Sequence, residues 1–129
     1  MLLRGILNPN ISALLSRVRH TNTLVIADRG FPFFPGIETV DISLVDDIPR
    51  VLQVLRALRE NCKFGAAFMA EEFRSTNGTA TRSEFEDGLR GIPLTFEPHL
   101  DLKKRIPSAI GLIRTGDTIE YANIILESA

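Results

Sequence analysis

The chain has 129 residues, which corresponds to one domain at the usual length of roughly 100–200 residues. Its hydrophobic fraction of 44% and mean hydropathy of +0.08 are typical of a packed globular protein and exclude an intrinsically disordered chain. Fifteen basic and sixteen acidic residues leave a net charge of −1 without a basic stripe, which argues against nucleic acid as a partner.

No stretch of the sequence predicts a secretory signal, a membrane span or a disulfide. Arg4 and Gly5 interrupt the N-terminal "MLLRGILNPN", so it lacks the apolar run of a signal peptide. No segment approaches the roughly eighteen apolar residues of a membrane span. The single cysteine, Cys62, cannot form an internal disulfide, and no neighbouring base marks it as catalytic. These features predict a cytoplasmic protein without a membrane partner.

Helical and strand patterns alternate along the first half of the chain. Asn8 as N-cap and Pro9 at the first helical position begin a helix with apolar residues at i, i+3, i+4 and i+7. "TLVIA" predicts a buried strand over residues 23–27, which "DRG" ends in a turn. "FPFFPG" is predicted to be irregular because of its prolines. "IETVDISL" predicts a second strand, and "IPRVLQVLRALREN" a second helix.

The same alternation continues in the second half. "KFGAAFMA" and "IPLTFEP" predict strands, separated by helical pieces on either side of an Asn-Gly loop. "HLDLKKRIP" predicts a short helix or turn. "AIGLIRTGDTIEYANIIL" predicts two strands that pair like a hairpin around "TGD". The pattern predicts a single α/β domain over residues 1–129, a sandwich in which a mainly parallel, mixed sheet carries helices on both faces.

Two histidines stand at the ends of predicted elements. His20 lies between the first helix and the first strand, where a histidine can bind the last helical carbonyls. His99 directly follows the fourth strand, where an exposed residue at a helix start is the plainer interpretation. Position alone favours these structural interpretations, although an imidazole titrates near neutral pH and suits a general acid or base.

Four acidic residues at or near strands are further candidates. Asp28 ends the first strand, at the edge where α/β sheets bind ligands, although Asp before Arg-Gly is also ordinary turn chemistry. Asp41 lies in an apolar strand and needs either a partner or a solvated face. Glu71 and Glu72 follow the third strand, where they favour a helix start over a metal site. Metal-ligand spacing, Gly-rich phosphate loops and a serine nucleophile elbow are absent, so no metal or cofactor is predicted.

The segment "EYANIILES" places a tyrosine and an asparagine at the head of the last predicted strand. Residues two apart in a strand point to one face, so Tyr121 and Asn123 are expected to share a face, with the small Ala122 on the other. The two polar side chains form either a polar strand start or one wall of a pocket.

Four blocks of the sequence together resemble the ribose pyranase / fucose mutarotase family, the RbsD/FucU proteins. They are "RHTNTLVIADRGFP", "DISLVDDIP", "AAFMAEE" and "IRTGDTIEYANIIL", in family order from about Leu7 to Leu126. The tyrosine motif with these upstream blocks is a specific signal, whereas "HTNT" alone is not. The resemblance implies a cofactor-free isomerase that interconverts pyranose, furanose and anomeric forms of a free monosaccharide.

The resemblance also implies roles for individual residues. His20 falls on the general acid/base of the family, and Asp28 falls on the strand-end aspartate that holds sugar hydroxyls. Tyr121 and Asn123, with Ala122 between them, fall on the block that lines the sugar pocket, and Tyr121 is a candidate second proton relay.

The position of His99 bears on the identity of the sugar. It precedes the motif tyrosine by the family interval (121 − 99 = 22), and histidine there, like the "YAN" form, is similar to the ribose-type members. D-ribose is therefore the expected substrate. Arg29 and the phenylalanines of "FPFFPG" depart from the family pattern beside the expected pocket. Two alternatives stay open: an L-fucose-type mutarotase acting on another monosaccharide, and a non-catalytic sugar-binding accessory protein of sugar uptake.

The resemblance further implies a homo-oligomeric ring, either a pentamer-based decamer or an octamer. In such a ring, a segment of a neighbouring subunit completes each site. The three phenylalanines of the loop and the modest chain length are compatible with a buried interface.

Overall fold

Six strands and five α-helices alternate along the chain in the computed structural model, which describes residues 1–129. In chain order they are α1 (Pro9–Arg17), β1 (Thr23–Ala27), β2 (Glu38–Asp41), α2 (Val51–Arg59), β3 (Phe64–Ala70), α3 (Glu71–Thr76), α4 (Thr79–Gly88), β4 (Leu94–Glu97), α5 (His99–Arg105), β5 (Gly111–Arg114) and β6 (Ile124–Ser128). A 3₁₀ turn over Ile106–Ser108 follows α5. None of the helices has the length and hydropathy needed to cross a bilayer.

The strands form one mixed sheet in the order β2-β5-β1-β6-β3-β4. Strand β5 runs parallel to both β1 and β2, and β3 runs parallel to β4. Strand β6 runs antiparallel between β1 and β3. The carboxyl ends of five strands therefore lie at the same edge of the sheet as the first residue of β6. We call this the upper edge; it is defined by Ala27, Asp41, Ala70, Glu97, Arg114 and Ile124.

The predicted mixed α/β sheet is confirmed, but the predicted hairpin of the last two strands is wrong. β1 lies between β5 and β6, so these two strands are not neighbours. Residues 115–123 instead form a connection at the upper edge. Both strands are apolar and buried, and a position inside the sheet gives each of them backbone partners on both sides.

The first helix forms as its sequence predicts. The Oδ1 of Asn8 accepts hydrogen bonds from the N–H groups of Asn10 (2.9 Å) and Ile11 (3.0 Å), and Pro9 occupies the first turn. The buried side of the helix contains Ile11 and Leu14. This packing fixes the chain that leads into β1.

Two apolar layers cover the sheet, one on each face, as predicted. Alternation along β1 assigns Leu24 and Ile26 to the layer shared with α1, α2, α3 and α4. It assigns Val25 and Ala27 to the layer shared with α5 and the 3₁₀ turn. All four β1 side chains are fully buried, so β1 is a rigid base for the residues that follow it.

Candidate functional site

A polar cavity of about 460 Å³ opens at the upper edge of the sheet. Residues that follow β1, β4 and β5 and residues that precede β6 line it. Four of the residues singled out in the sequence are among them: Asp28, His99, Tyr121 and Asn123. In α/β proteins, ligands bind in the crevice outside the carboxyl ends of the strands, which is where this cavity lies.

Asp28 and Asn123 form the buried floor of the cavity. They are 9% and 2% exposed. The backbone N–H of Asp28 donates to Asn123 Oδ1 (2.8 Å), and the N–H of Gly30 donates to Asp28 Oδ1 (3.0 Å). Burial raises the pKa of the Asp28 carboxyl, although the Gly30 hydrogen bond opposes the shift. Oδ1 of Asn123 already accepts a hydrogen bond, so its amide NH₂ is the group that can donate to a ligand. The neighbouring carboxylate of Asp28 can accept hydrogen bonds from the same ligand.

His99 contributes an imidazole ring to the cavity. Its ring packs edge to face on Tyr121 (centroids 5.1 Å apart, 80°) and on Phe31 (6.2 Å, 83°). Nδ1 is buried without a hydrogen-bond partner, which leaves Nε2 as the nitrogen that a ligand can reach. Burial and the nearby Lys103 ammonium lower the pKa of His99, although two carboxylates oppose the shift. These causes favour the neutral form of the imidazole at neutral pH.

Tyr121 lies in a turn and not in a strand. β6 begins only at Ile124, and the φ of Tyr121 is 58°, in the left-handed region that non-glycine residues seldom adopt. The expectation that strand alternation aligns Tyr121 with Asn123 is therefore wrong, although both residues line the cavity. Ala122 is fully buried in the apolar layer and does not line it. A left-handed tyrosine costs on the order of 1–3 kcal/mol, a strain that is common at ligand sites.

Asp117 organises the cavity wall, a role that the sequence analysis missed. It is 1% exposed; its Oδ2 accepts the N–H of Val51 at the start of α2 (2.9 Å), and its Oδ1 accepts the N–H of Ile119 (2.8 Å). The hydroxyl of Thr115 donates to the carbonyl of Ala27 (2.8 Å) and accepts the N–H of Asp117 (3.1 Å). Asp117 thus ties α2 to the connection that carries Tyr121. The only signal in the sequence is an acid in a Gly-containing turn.

Asp117→Ala should lower the free energy of unfolding by about 2–6 kcal/mol, since it leaves two backbone N–H groups without acceptors at roughly 1–3 kcal/mol each. Asp87→Ala is a matched control, because Asp87 makes only an exposed ion pair with Arg90. The control should change the free energy by less than about 1 kcal/mol. Urea denaturation measures both values, and equal losses would contradict the organising role of Asp117.

Other charged candidates lie at the rim or outside the cavity. Arg29 lines the rim, and its guanidinium pairs with Asp46 (2.7 Å). Asp41 is exposed, accepts hydrogen bonds from the N–H and hydroxyl of Ser43 (2.9 and 2.5 Å) and lies 3.9 Å from the guanidinium of Arg114, so it has both a solvated face and a charged partner. Glu71 forms an exposed ion pair with the next arginine of α3 (2.6 Å). No cluster of His, Cys, Asp and Glu side chains could hold a metal ion.

His20 lies at the opposite edge of the sheet from the cavity. It is exposed and precedes β1, and the N–H of the next residue, Thr21, donates to the carbonyl of Ser128 at the end of β6 (2.9 Å). A strand of five residues spans roughly 17 Å. Within one chain, the imidazole of His20 and the phenol of Tyr121 therefore do not meet, because they belong to opposite ends of the strands.

Sequence comparisons point to one family. The model of the "RbsD / FucU transport protein family" matches residues 1–129. The chain is 39% identical to a D-ribose pyranase of Geobacillus kaustophilus over 124 residues, covering 96% of this chain and 90% of the relative. It is 32% identical to a D-ribose pyranase of Clostridium perfringens, covering 96% and 94%.

Solved structures show the same fold. RbsD of Bacillus subtilis, determined in complex with D-ribose, superposes with a TM-score of 0.93 at 29% identity, covering 100% of this chain and 98% of that one. The fucose mutarotase of Streptococcus pneumoniae, determined with L-fucose, superposes with a TM-score of 0.84, covering 99% and 98%. Its identity of 18% bears on the fold alone.

Proposed function

Because this chain belongs to the RbsD/FucU family, we propose that it is a cofactor-free isomerase of free D-ribose. It interconverts the pyranose and furanose forms and the anomers of the sugar. One observation carries the proposal: Asp28, His99, Tyr121 and Asn123 gather around one cavity at the upper edge of the sheet. Relatives of similar length and sequence are D-ribose pyranases, and the fold superposes on a protein determined with D-ribose.

The charges of the cavity wall suit a neutral sugar better than a phosphorylated one. Asp28, Asp117 and Glu120 contribute carboxylates, whereas the one guanidinium, that of Arg29, is paired with Asp46. A phosphate ester would be repelled by this balance. The hydroxyls of a free sugar can donate to Asp28 and accept from the amide of Asn123. A volume of about 460 Å³ falls within the usual range for small-molecule pockets.

The chemistry requires two proton transfers and no redox step. A proton is delivered to the ring oxygen while another leaves the anomeric hydroxyl, which opens the ring, and the reverse transfers close it on another oxygen or face. We assign the general acid/base role to His20 and the second relay to Tyr121. Asp28, His99 and Asn123 hold the remaining hydroxyls, His99 through Nε2. Positioning of this kind accelerates a reaction that proceeds slowly in water.

His20 takes this role in the cavity of a neighbouring copy, within a homo-oligomeric ring. Its exposure at the edge of the sheet opposite the cavity supports that assignment. Phe33 and Leu100, which adjoin cavity-lining residues in the sequence, are also strongly exposed (68% and 72%), and so is Leu44 after β2 (76%). Exposed apolar side chains of this size are compatible with a subunit interface. A pentamer-based decamer or an octamer is expected, in a reducing cytoplasm that suits the lone thiol of Cys62.

Saturation-transfer NMR on free sugars tests the proposed function. Saturation of one D-ribose anomeric signal should pass to the pyranose and furanose signals faster with the protein than without it. Faster transfer for L-fucose but not for D-ribose would show that the substrate is L-fucose, with the class of reaction unchanged. Binding without faster transfer would support a sugar-binding accessory protein, and no binding of any sugar would overturn the proposal.

A further inference from the structure

Glu72 and His99 occupy equivalent places on neighbouring strands. β3 and β4 are parallel, and Ala70 is paired with Glu97 in the register of the sheet. Each of the two residues follows its strand by the same interval (72 − 70 = 2 and 99 − 97 = 2). The register therefore brings Glu72 beside His99 at the upper edge, where α3 and α5 begin.

The carboxylate of Glu72 binds the first N–H group of α5. The backbone nitrogen of His99 lies 3.0 Å from Oε1 and 3.2 Å from Oε2 of Glu72. The N-cap of α5 is Pro98, which makes no side-chain cap. A helix start leaves its first N–H groups without partners, and here another segment supplies the acceptor. The ionised acceptor makes this hydrogen bond stronger than a neutral one.

The imidazole of His99 has no polar anchor of its own. Nδ1 is buried without a partner, and the ring packs edge to face on Tyr121 and Phe31. The position of the ring therefore depends on where the backbone of His99 is held. Glu72 does not line the cavity, and His99 is the lining residue to which its carboxylate is hydrogen-bonded.

We propose that Glu72 is a positioning residue that sets the place of the His99 imidazole in the cavity by holding its backbone N–H. For catalysis this inference rests on the proposed function. The neighbouring Glu71 gives a matched control: it lies in the same helical turn, but its carboxylate pairs with Arg74 at 2.6 and 2.7 Å.

Kinetics of ribose exchange measure the effect of Glu72 on the site. Glu72→Ala should raise KM roughly 3- to 30-fold with a much smaller change in kcat, a range typical of residues coupled through a shared partner. Glu72→Gln keeps an acceptor oxygen and should recover most of the affinity, and Glu71→Ala should leave KM unchanged. In a His99→Ala background, Glu72→Ala should have little further effect on KM. If Glu72→Ala raised KM by the same factor in the His99→Ala background as in the wild type, the proposal would be overturned.

NMR of the imidazole in the free protein tests the same role without any sugar. The chain has two histidines, so a His20→Ala spectrum assigns the signals of His99. The charged groups that act on the ring are Glu72, Asp28 and Lys103. Glu72→Ala should change the ring-current shifts from its aromatic neighbours and lower the pKa of His99, because it removes a carboxylate that favours the charged form.

The NMR outcomes separate this inference from the proposed function. Unchanged His99 signals in Glu72→Ala would overturn the positioning role, even if the melting temperature fell. Changed signals in a protein that turns over no sugar would overturn the proposed function and leave the positioning role standing. If Glu72→Ala does not fold, Glu72→Asp decides the question: its shorter side chain withdraws the carboxylate from the N–H of His99, so the ring-current shifts should change, and unchanged shifts would overturn the role.

Discussion

His20→Ala is expected to slow catalysed ribose exchange by about 10²–10⁴-fold, the usual contribution of a general acid or base. The side chain is exposed and makes no hydrogen bond that the fold requires, so its removal should change the free energy of unfolding by less than about 0.5 kcal/mol. Saturation transfer measures exchange, and calorimetry measures ribose affinity, which should change far less. Unchanged exchange would remove His20 from the mechanism.

Mixed oligomers test whether His20 acts in the cavity of a neighbouring copy. His20→Ala retains the cavity, and Asp28→Asn retains the imidazole of His20 at the opposite edge of the sheet. When the two variants assemble together in equal amounts, roughly a quarter of the sites should combine an intact cavity with an intact neighbouring His20. Each variant assembled alone is the control. No recovery in mixed assemblies, verified by mass spectrometry, would show that the two residues do not share a site between chains.

Local sequence patterns were sufficient to place most elements of the fold. Asn8 and Pro9 mark the start of α1, and the apolar run over Thr23–Ala27 matches β1 at both ends. Periodicity and capping act over a few residues, so they can be read from the chain directly. The pairing of β5 with β1, instead of with β6, depends on contacts between distant segments. No local pattern encodes that choice, which is why the hairpin prediction failed.

The site was predictable only in part, for the same reason. Asp28 and His99 follow strands, and a parallel arrangement brings such positions to one edge. The left-handed backbone of Tyr121 and the capping of α2 by Asp117 are set by tertiary contacts across the connection at residues 115–123. The distance of His20 from the cavity likewise follows from topology, since a residue before β1 cannot lie at its carboxyl end.

Asp28→Asn should weaken ribose binding roughly 10- to 150-fold, the range expected when a hydrogen bond to a charged group worth about 1.5–3 kcal/mol is lost. The substitution keeps the size of the side chain and the oxygen that accepts the N–H of Gly30. The matched control is Asp87→Asn on the exposed surface, which should leave ribose affinity unchanged. Isothermal titration calorimetry measures both affinities, and equal affinities would exclude the carboxylate from sugar binding.

The same substitution should make the folded chain more stable at neutral pH, and the gain should depend on pH. Burial raises the pKa of Asp28 in the folded state above its ordinary value of 3.8, so the folded state favours the protonated form. Protonation of Asp28 therefore stabilises the folded state fully at pH values below the pKa of Asp28 in the unfolded chain. This stabilisation is lost as the pH rises through the pKa of Asp28 in the folded chain. In urea denaturation, the free energy of unfolding of Asp28→Asn should therefore exceed that of the wild type by an amount that grows from acid to neutral pH. Over the same pH interval, the wild type should bind ribose increasingly more tightly than the variant. A carboxylate that lowers the stability of the folded chain but strengthens sugar binding serves the ligand and not the fold. A loss of stability in Asp28→Asn at neutral pH would instead show that the ionised group holds the loop after β1 in place.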